Sequence, residues 1–365
     1  MISERMGAVA LKGESGQAIS QSAPPVLIEI TRGSLVDVRY RGHIVVCDTE
    51  GRLLAHVGYP DEVAFLRSSA KPLQALALLE SGAADHFKFT DRELAVICAS
   101  HGGSPHHTEA VAGILAKLGL TVDALKCGIH WPATKEASLA LRVAGAEPTA
   151  LHNNCSGKHA GMLALASILR ASLGDYLEPA HPVQQTILRT LAEMAGIERD
   201  EISIAIDGCS VPTFAMPLRA AARAFARLAD PGTLSAAQMT ACRRVVKAMQ
   251  THPEMVADWG KFDTELMRTA QGRLVSKGGA AGYGAVAVLP GALGVGSAAM
   301  GIVMKLEDGA SEYGRQPATL EVLRQLGVLS EGELSALQRF GSRPIRNHRQ
   351  IVVGELRPVF SLIWD

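Results

Sequence analysis

Between residues 26 and 58 short apolar runs are broken by polar and turn residues: "VLIEITRG", "LVDVRYRG", "HIVVCDTE" and "RLLAHVG". Runs of this length, rich in Val and Ile, predict strands, with Thr49-Glu50-Gly51 as the turn between the last two. The spacing then lengthens. From about Ser69 to Ser81 it predicts a helix closed by Gly82. "SPHHTEAVAGILAKLG" predicts a second, with Pro105 near its start and Gly119 at its end. "KHAGMLALASILRASLG" is apolar on most faces, which predicts a central helix. "DRELAVICASHGG" reads as a helix or a strand entering a Gly loop. "HPVQQTILRTLAEMAG" predicts a helix feeding a strand in "EISIAID". Two Ala-rich helices follow, over about 214–229 and 235–251. "VSKGGAAGYGAVAVLP" and "LGVGSAAMGIVMKLED" predict paired strands, before a helix at about 317–326 and a last strand in "QIVVGELRPVF".

Strands at both ends with helices between them predict an α+β (mixed α/β) chain whose terminal strands share a sheet. Residues 1–25, ending in Pro24-Pro25, read as a flexible arm. Residues 26–365 read as a single catalytic domain, its sheet drawn from about 26–60 and 275–365 and its helical part from about 65–270.

Composition narrows the function classes. Of 365 residues 47% are hydrophobic and only 4% aromatic, so the core must rest on Ala, Leu, Val and Ile. The formal net charge of +0 offers no field to collect nucleic acid or an anionic membrane. No apolar run reaches the length of about 18 residues expected of a membrane span. The first residues lack a signal-peptide pattern, so a cytoplasmic location is expected. The six Cys (Cys47, Cys98, Cys127, Cys155, Cys209, Cys242) then read as free thiols, mostly buried.

Four segments carry candidate chemistry. In "FLRSSAKPLQAL", Ser68 and Lys71 stand three apart at a predicted helix start, where Pro72 suits the first turn. A serine there gains from the free N–H groups of the helix end, and a lysine made neutral by burial can act as its base. Arg67 precedes them and can hold a carboxylate. In "ICASHGGSPHHT", Ser100 and His101 end an element before glycines, while His106 and His107 flank a helix start and read as exposed polar residues. In "LHNNCSGKHAGM" and "AIDGCSVP", Asn153, Asn154, Cys155, Ser156, Lys158 and His159 crowd the mouth of the central helix. Asp207 and Cys209 lie just past a strand end. Cys155 and Cys209 can meet at one zinc ion, with His159, His152, Asp207 or a neutral Lys158 completing its shell. Cys127 and His130 form a weaker pair, read as buried thiol and core imidazole. In "SKGGAAGYG", Lys277 followed by glycines before a strand has the form of the K-T-G element of penicillin-recognising enzymes, the glycines leaving room for substrate along the strand edge.

In this order, "RSSAKPLQ", "CASHGGSPHH", "CGIHWP", "HNNCSGKHAGML", "DGCSVPTFAMPL" and "SKGGAAGYG" resemble the rhizobial-type L-asparaginases over roughly residues 26–365. The resemblance implies a fold similar to serine β-lactamases, penicillin-binding proteins and glutaminases. It implies a homodimer that hydrolyses L-asparagine to L-aspartate and ammonia. It places two Ser–Lys pairs on Ser68 with Lys71 and Ser100 with Lys277. It places Zn²⁺ ligands on Cys155, Lys158 and Cys209, and substrate-binding residues on Arg67, His159 and Asp207. Alternative expectations are a glutaminase or another amidohydrolase of this fold, and a hydrolase using metal-activated water.

Overall fold

The computed structural model describes residues 23–365. All but the last three residues of the expected N-terminal arm lie outside the described residues. The strands expected at the two ends of the chain do share one sheet, so the α+β expectation holds. In chain order they are β1 (Val26–Arg32), β2 (Leu35–Cys47), β3 (Leu53–Val57), β7 (Leu274–Gly278), β8 (Tyr283–Val288), β9 (Met300–Leu306), β10 (Arg343–Arg346), β11 (Val352–Pro358) and β12 (Ile363–Trp364). The main path runs β10-β11-β1-β2-β9-β8-β7, with β3 between β2 and β12. All these pairings are antiparallel. The first part of β2 pairs with β1, and its second part, from Gly42, pairs with β9. That long strand joins the two ends of the chain.

Strands β8 and β9 are buried almost throughout, because both faces are covered. Gly301 lies against Ala222 of the helix Leu218–Ala229, whereas Met304, three positions on, meets Thr319 of the helix Gln316–Gln325. An odd spacing along a strand puts the two contacts on opposite faces.

A second, three-stranded sheet has the order β4-β6-β5, with β4 Val63–Phe65, β5 Ser203–Ile206 and β6 Pro212–Pro217. Here one boundary differs from expectation. The Ala-rich helix expected from about 214 begins at Leu218, because "PTFAMP" pairs on both edges as β6. Its first half pairs with β5 and its second half with β4, the two overlapping at Ala215, and the prolines stand at its ends.

The helix over "DRELAVI" (Asp91–Ile97) owes its form to a capping box: Thr90 Oγ1 accepts from Glu93 N, and Glu93 Oε2 accepts from Thr90 N at 2.7 Å. The helix Ser156–Ile168 is central as expected, buried without interruption from Ser156 to Ala166. The two cross at close range. A Cβ on Gly157 would stand 2.1 Å from Val96 O, so only glycine fits at this crossing. The crossing brings the start of one helix against the end of the other, and Cys155, Lys158 and Ser100 thereby share a neighbourhood.

In a helix Ala is favoured over Gly by about 1 kcal/mol, whereas a backbone clash in a packed core costs about 1–3 kcal/mol or more. Gly157→Ala is therefore expected to lower stability by about 2 kcal/mol. A urea midpoint equal to or above the parent's would contradict the close crossing.

Candidate active site

The chain leaves β4 through a tight turn, Arg67–Ala70, and enters the helix Lys71–Glu80 with Pro72 in its first turn. Arg67 takes φ +50°, a strained left-handed conformation for a residue with a Cβ. Its side chain is held in place: Nε and Nη2 donate to Asp207 Oδ1 at 3.0 and 2.6 Å. Burial works against the Asp207 charge, but the bonds from Arg67 and from Gly208 N outweigh it and hold the carboxyl below its usual range. Asp207 and Cys209 sit at the tip of the β5–β6 hairpin, as their place after "EISIAI" implied. Arg67, Ser68, His130, Asn154, Cys155, Asp207 and Cys209 line one pocket. Ser68 is half-buried on its wall, and its hydroxyl makes no hydrogen bond among the described residues.

Behind that wall stand two buried lysines. Lys71 Nζ lies 3.0 Å from Ser100 Oγ and also donates to Ala99 O at 2.5 Å and Asn154 O at 3.2 Å. Lys277 Nζ, from β7, lies 3.0 Å from the same Ser100 Oγ and donates to Gly278 O at 2.7 Å. Ser100 and Lys277 are thus in contact. The pairing of Lys71 differs: three acceptors turn its amine to Ser100 instead of Ser68. Ser69 is no participant, since its hydroxyl donates to Lys277 O and ties the turn to β7. The glycines after Lys277 serve this docking. A Cβ on Gly279 would stand 2.7 Å from Leu66 O, and Gly278 packs on Arg315, so their missing side chains admit protein and not substrate.

Burial lowers both lysines. Lys277 falls to about 7 through desolvation and the like charge of Lys71. Lys71 is lowered by burial with Lys158 nearby, while Cys155 opposes the change. With three acceptors Lys71 is built to stay an ammonium, and Lys277, with two, has a lone pair to spare. Asp263 lies directly behind: it accepts from Ser276 Oγ at 2.7 Å and Gly278 N at 3.0 Å, and pairs with Arg315. No motif marked Asp263 or Arg315. Only the folded chain brings their segments to β7.

Cys155, Lys158 and Cys209 lie together, with Lys158 Nζ 3.0 Å from Cys209 Sγ. A bond from the Cys209 thiol pulls the Cys155 thiol well below its usual value, so Cys155 holds the thiolate. Burial opposes the Lys158 charge, but the two sulfurs outweigh it and raise its pKa. By contrast, burial pushes Cys47, Cys98, Cys127 and Cys242 up to about 12, as inert thiols. All six are free. Two sulfurs, one already a thiolate, and an amine within reach form a donor set that fits a zinc ion.

Other expectations need correction. His130 is not a core imidazole; it lines the pocket, with Nε2 accepting from Asn154 N at 2.9 Å. His152 caps its own turn through Thr149 N. His159 does not line the pocket: it is wholly buried, with Nδ1 against Tyr176 Oη at 2.8 Å, and burial keeps it neutral. His107, expected at the surface, is wholly buried, and His106 is partly so. The helix start that carries them packs against the 253–258 segment.

A family model described as L-asparaginase II matches residues 28–358. The chain belongs to that family. No curated protein matches the chain. Among solved structures, one named Mglu is 16% identical with a TM-score of 0.39, over 79% of this chain and 60% of that one. A β-lactamase from Mycobacterium bovis is 14% identical with a TM-score of 0.44, over 79% and 95%. A Bacillus subtilis glutaminase in covalent complex with 5-oxo-L-norleucine is 12% identical with a TM-score of 0.36, over 82% and 88%. The chain thus spans about 60% of the length of Mglu. A glutaminase and a β-lactamase occur among these matches. At such scores they carry no argument about activity. No helix among the described residues is long and apolar enough to cross a membrane.

In this family member the Lys277 amine should titrate near pH 7, measured by side-chain NMR of nitrogen-labelled lysine. Because the Lys71 charge helps depress it, Lys71→Met should move the midpoint upward. A midpoint near the ordinary lysine value of about 10.4 in the parent would contradict the assignment.

Proposed function

We propose that the chain is an L-asparaginase of the rhizobial type that hydrolyses L-asparagine to L-aspartate and ammonia through a serine acyl-enzyme. The observation that carries this reading is the hydrogen-bonded run Lys71–Ser100–Lys277 directly behind a pocket whose wall bears Ser68. Arg67 and Asp207 present opposite charges on one wall. They suit the carboxylate and ammonium of a free amino acid, and so favour a small zwitterion over a peptide or a lactam.

Ser68 Oγ attacks the side-chain amide carbon. Lys71 hands a proton through the Ser100 hydroxyl to the neutral Lys277 amine, and its freed lone pair then swings from its three acceptors to Ser68 and takes the Ser68 proton. The proton returns along the same run to the leaving nitrogen, and ammonia departs. Water then attacks the Ser68 ester with the run again accepting its proton, which releases aspartate. Cys155, Lys158 and Cys209 would hold a zinc ion, with Lys158 as the neutral amine. When bound it supplies fixed positive charge beside the substrate's polar groups. Residues 26–365 act as one catalytic domain, in a cytoplasmic homodimer whose mass is measurable by sedimentation.

Ser68→Ala should lower kcat/KM for asparagine by about 10⁴-fold or more, and Ser100→Ala by about 10²–10⁴-fold. Retention of most activity in Ser68→Ala would favour metal-activated water instead. The bonds of both lysines to Ser100 favour a second reading, with Ser100 as nucleophile. Mass spectrometry of an acid-quenched acyl-enzyme separates the two, by which serine peptide carries the added mass.

Glutamine, one methylene longer, should be disfavoured by about 10- to 200-fold in kcat/KM. Equal rates of ammonia release from the two amides would reassign the chain as a general amidohydrolase of this fold.

A further inference from the structure

Beyond the pocket, the loop that carries Ser100 ends in a second group of donor atoms. His106 and His107 open the helix Pro105–Lys117, and Asp258 lies in the segment after Pro253–Val256. His106 Nε2 stands 3.7 Å from Asp258 Oδ1, and His107 Nδ1 stands 4.0 Å from Asp258 Oδ2. One ligand atom from each lies within 4.8 Å of the others. Both distances are too long for hydrogen bonds. Both match the spacing of about 3–4 Å between two ligands of one ion held at about 2.1 Å.

The hydrogen bonds around the group decide which atoms face inward. His107 Nε2 donates to Glu254 O at 3.0 Å, which fixes the proton on that nitrogen and leaves a lone pair on Nδ1. That lone pair points at a carboxylate. Two acceptors face each other with no hydrogen between them, in a wholly buried setting: His107 is 0% exposed and Asp258 4%. His107 Nδ1 and His106 Nε2 are both buried without a partner among the described residues. A backbone carbonyl behind a histidine is the usual support of a metal-ligating imidazole. The carboxylate is held too, by Ser104 Oγ at 2.5 Å on Oδ2 and Trp259 N at 2.8 Å on Oδ1.

We propose that His106, His107 and Asp258 form a second metal site, of the divalent zinc type, separate from the Cys155, Lys158 and Cys209 set. Two imidazole nitrogens and one carboxylate oxygen suit zinc, and the partly exposed ring of His106 puts the group near the surface. The site joins two segments that matter to the lysine pair. Ser100 precedes His106 in one loop, and Ser100 N already donates to Val256 O at 2.9 Å. Asp258 precedes Asp263, which grips β7 on both sides of Lys277. An ion here clamps the Ser100 loop to the support of Lys277. Its role is positional.

The test uses the full chain with the sulfur donors removed, Cys155→Ser/Cys209→Ser, equilibrated with zinc and dialysed. The chain should retain one equivalent of zinc by mass spectrometry, and adding His106→Ala should abolish it. Zinc should also raise the melting temperature of the first variant and leave that of the second unchanged. A folded sulfur-free chain that retains no zinc, or that keeps it after His106→Ala, overturns the proposal. If the sulfur-free chain does not fold, parent and His106→Ala are compared directly. Loss of one equivalent, with loss of a nitrogen–oxygen shell in X-ray absorption, is expected, and unchanged content overturns it. Failure of the sulfur set leaves a different signature: a parent whose single equivalent is insensitive to the cysteine changes.

Discussion

Two buried amines share one hydroxyl, and most of what surrounds the pocket follows from that. Lys71 and Lys277 are 1% and 2% exposed, and each lies 3.0 Å from Ser100 Oγ. Two ammonium ions cannot both persist there without solvent. The environment separates their roles by counting acceptors: three oxygens around Lys71, two around Lys277. A drop from 10.5 to about 7 corresponds to roughly 5 kcal/mol in favour of the neutral Lys277 amine. Such a bias needs rigid walls. The Gly157 crossing, the Ser69–Lys277 tie and the buried Asp263–Arg315 pair provide them.

Electrostatic division recurs across the pocket. Cys155 is held as a thiolate while Cys209 keeps its proton, and Lys158 stays charged beside them. Arg67 and Asp207 face each other on the rim. The site thus pairs a wall of fixed charges with a run of two amines about one hydroxyl, and in the proposed reaction a substrate bearing both charges meets complements on the first and a proton acceptor on the second. The strain at Arg67 belongs to this arrangement, because the left-handed turn lifts Ser68 to the pocket wall.

Much of the fold was legible from periodicity. The terminal strands, the central helix and the Ser69–Ser81 helix follow from spacing that local physics enforces. The ambiguous "DRELAVI" segment was settled by a cap whose Thr90 and Glu93 were visible in the sequence. "PTFAMP" was misread as helix because its strand character comes from pairing on both edges, which no local signal encodes. The site was legible as a set of residues but not as a set of contacts. The spacing of Ser68 and Lys71 put both on one turn, yet the acceptors that turn Lys71 toward Ser100 come from residues 99 and 154. His107 looked like a surface residue because polarity at a helix start is usually solvated. Here a distant segment covers it. Asp258 and Asp263 carry no motif, since their meaning lies wholly in what they touch.

The shared sheet has a consequence for biosynthesis. Ser68 and Lys71 emerge early from the ribosome, but Lys277 sits on β7, which joins the sheet only through β8 and β9 onto the second half of β2. The Lys277 amine is therefore not set against Ser100 until β9 is complete, more than three hundred residues into the chain. A nascent chain, or a fragment cut anywhere between the helices and β9, lacks the assembled Lys71–Ser100–Lys277 run. Under the proposed mechanism, catalytic competence is all-or-none along the chain, and the growing polypeptide is chemically silent until its ends meet.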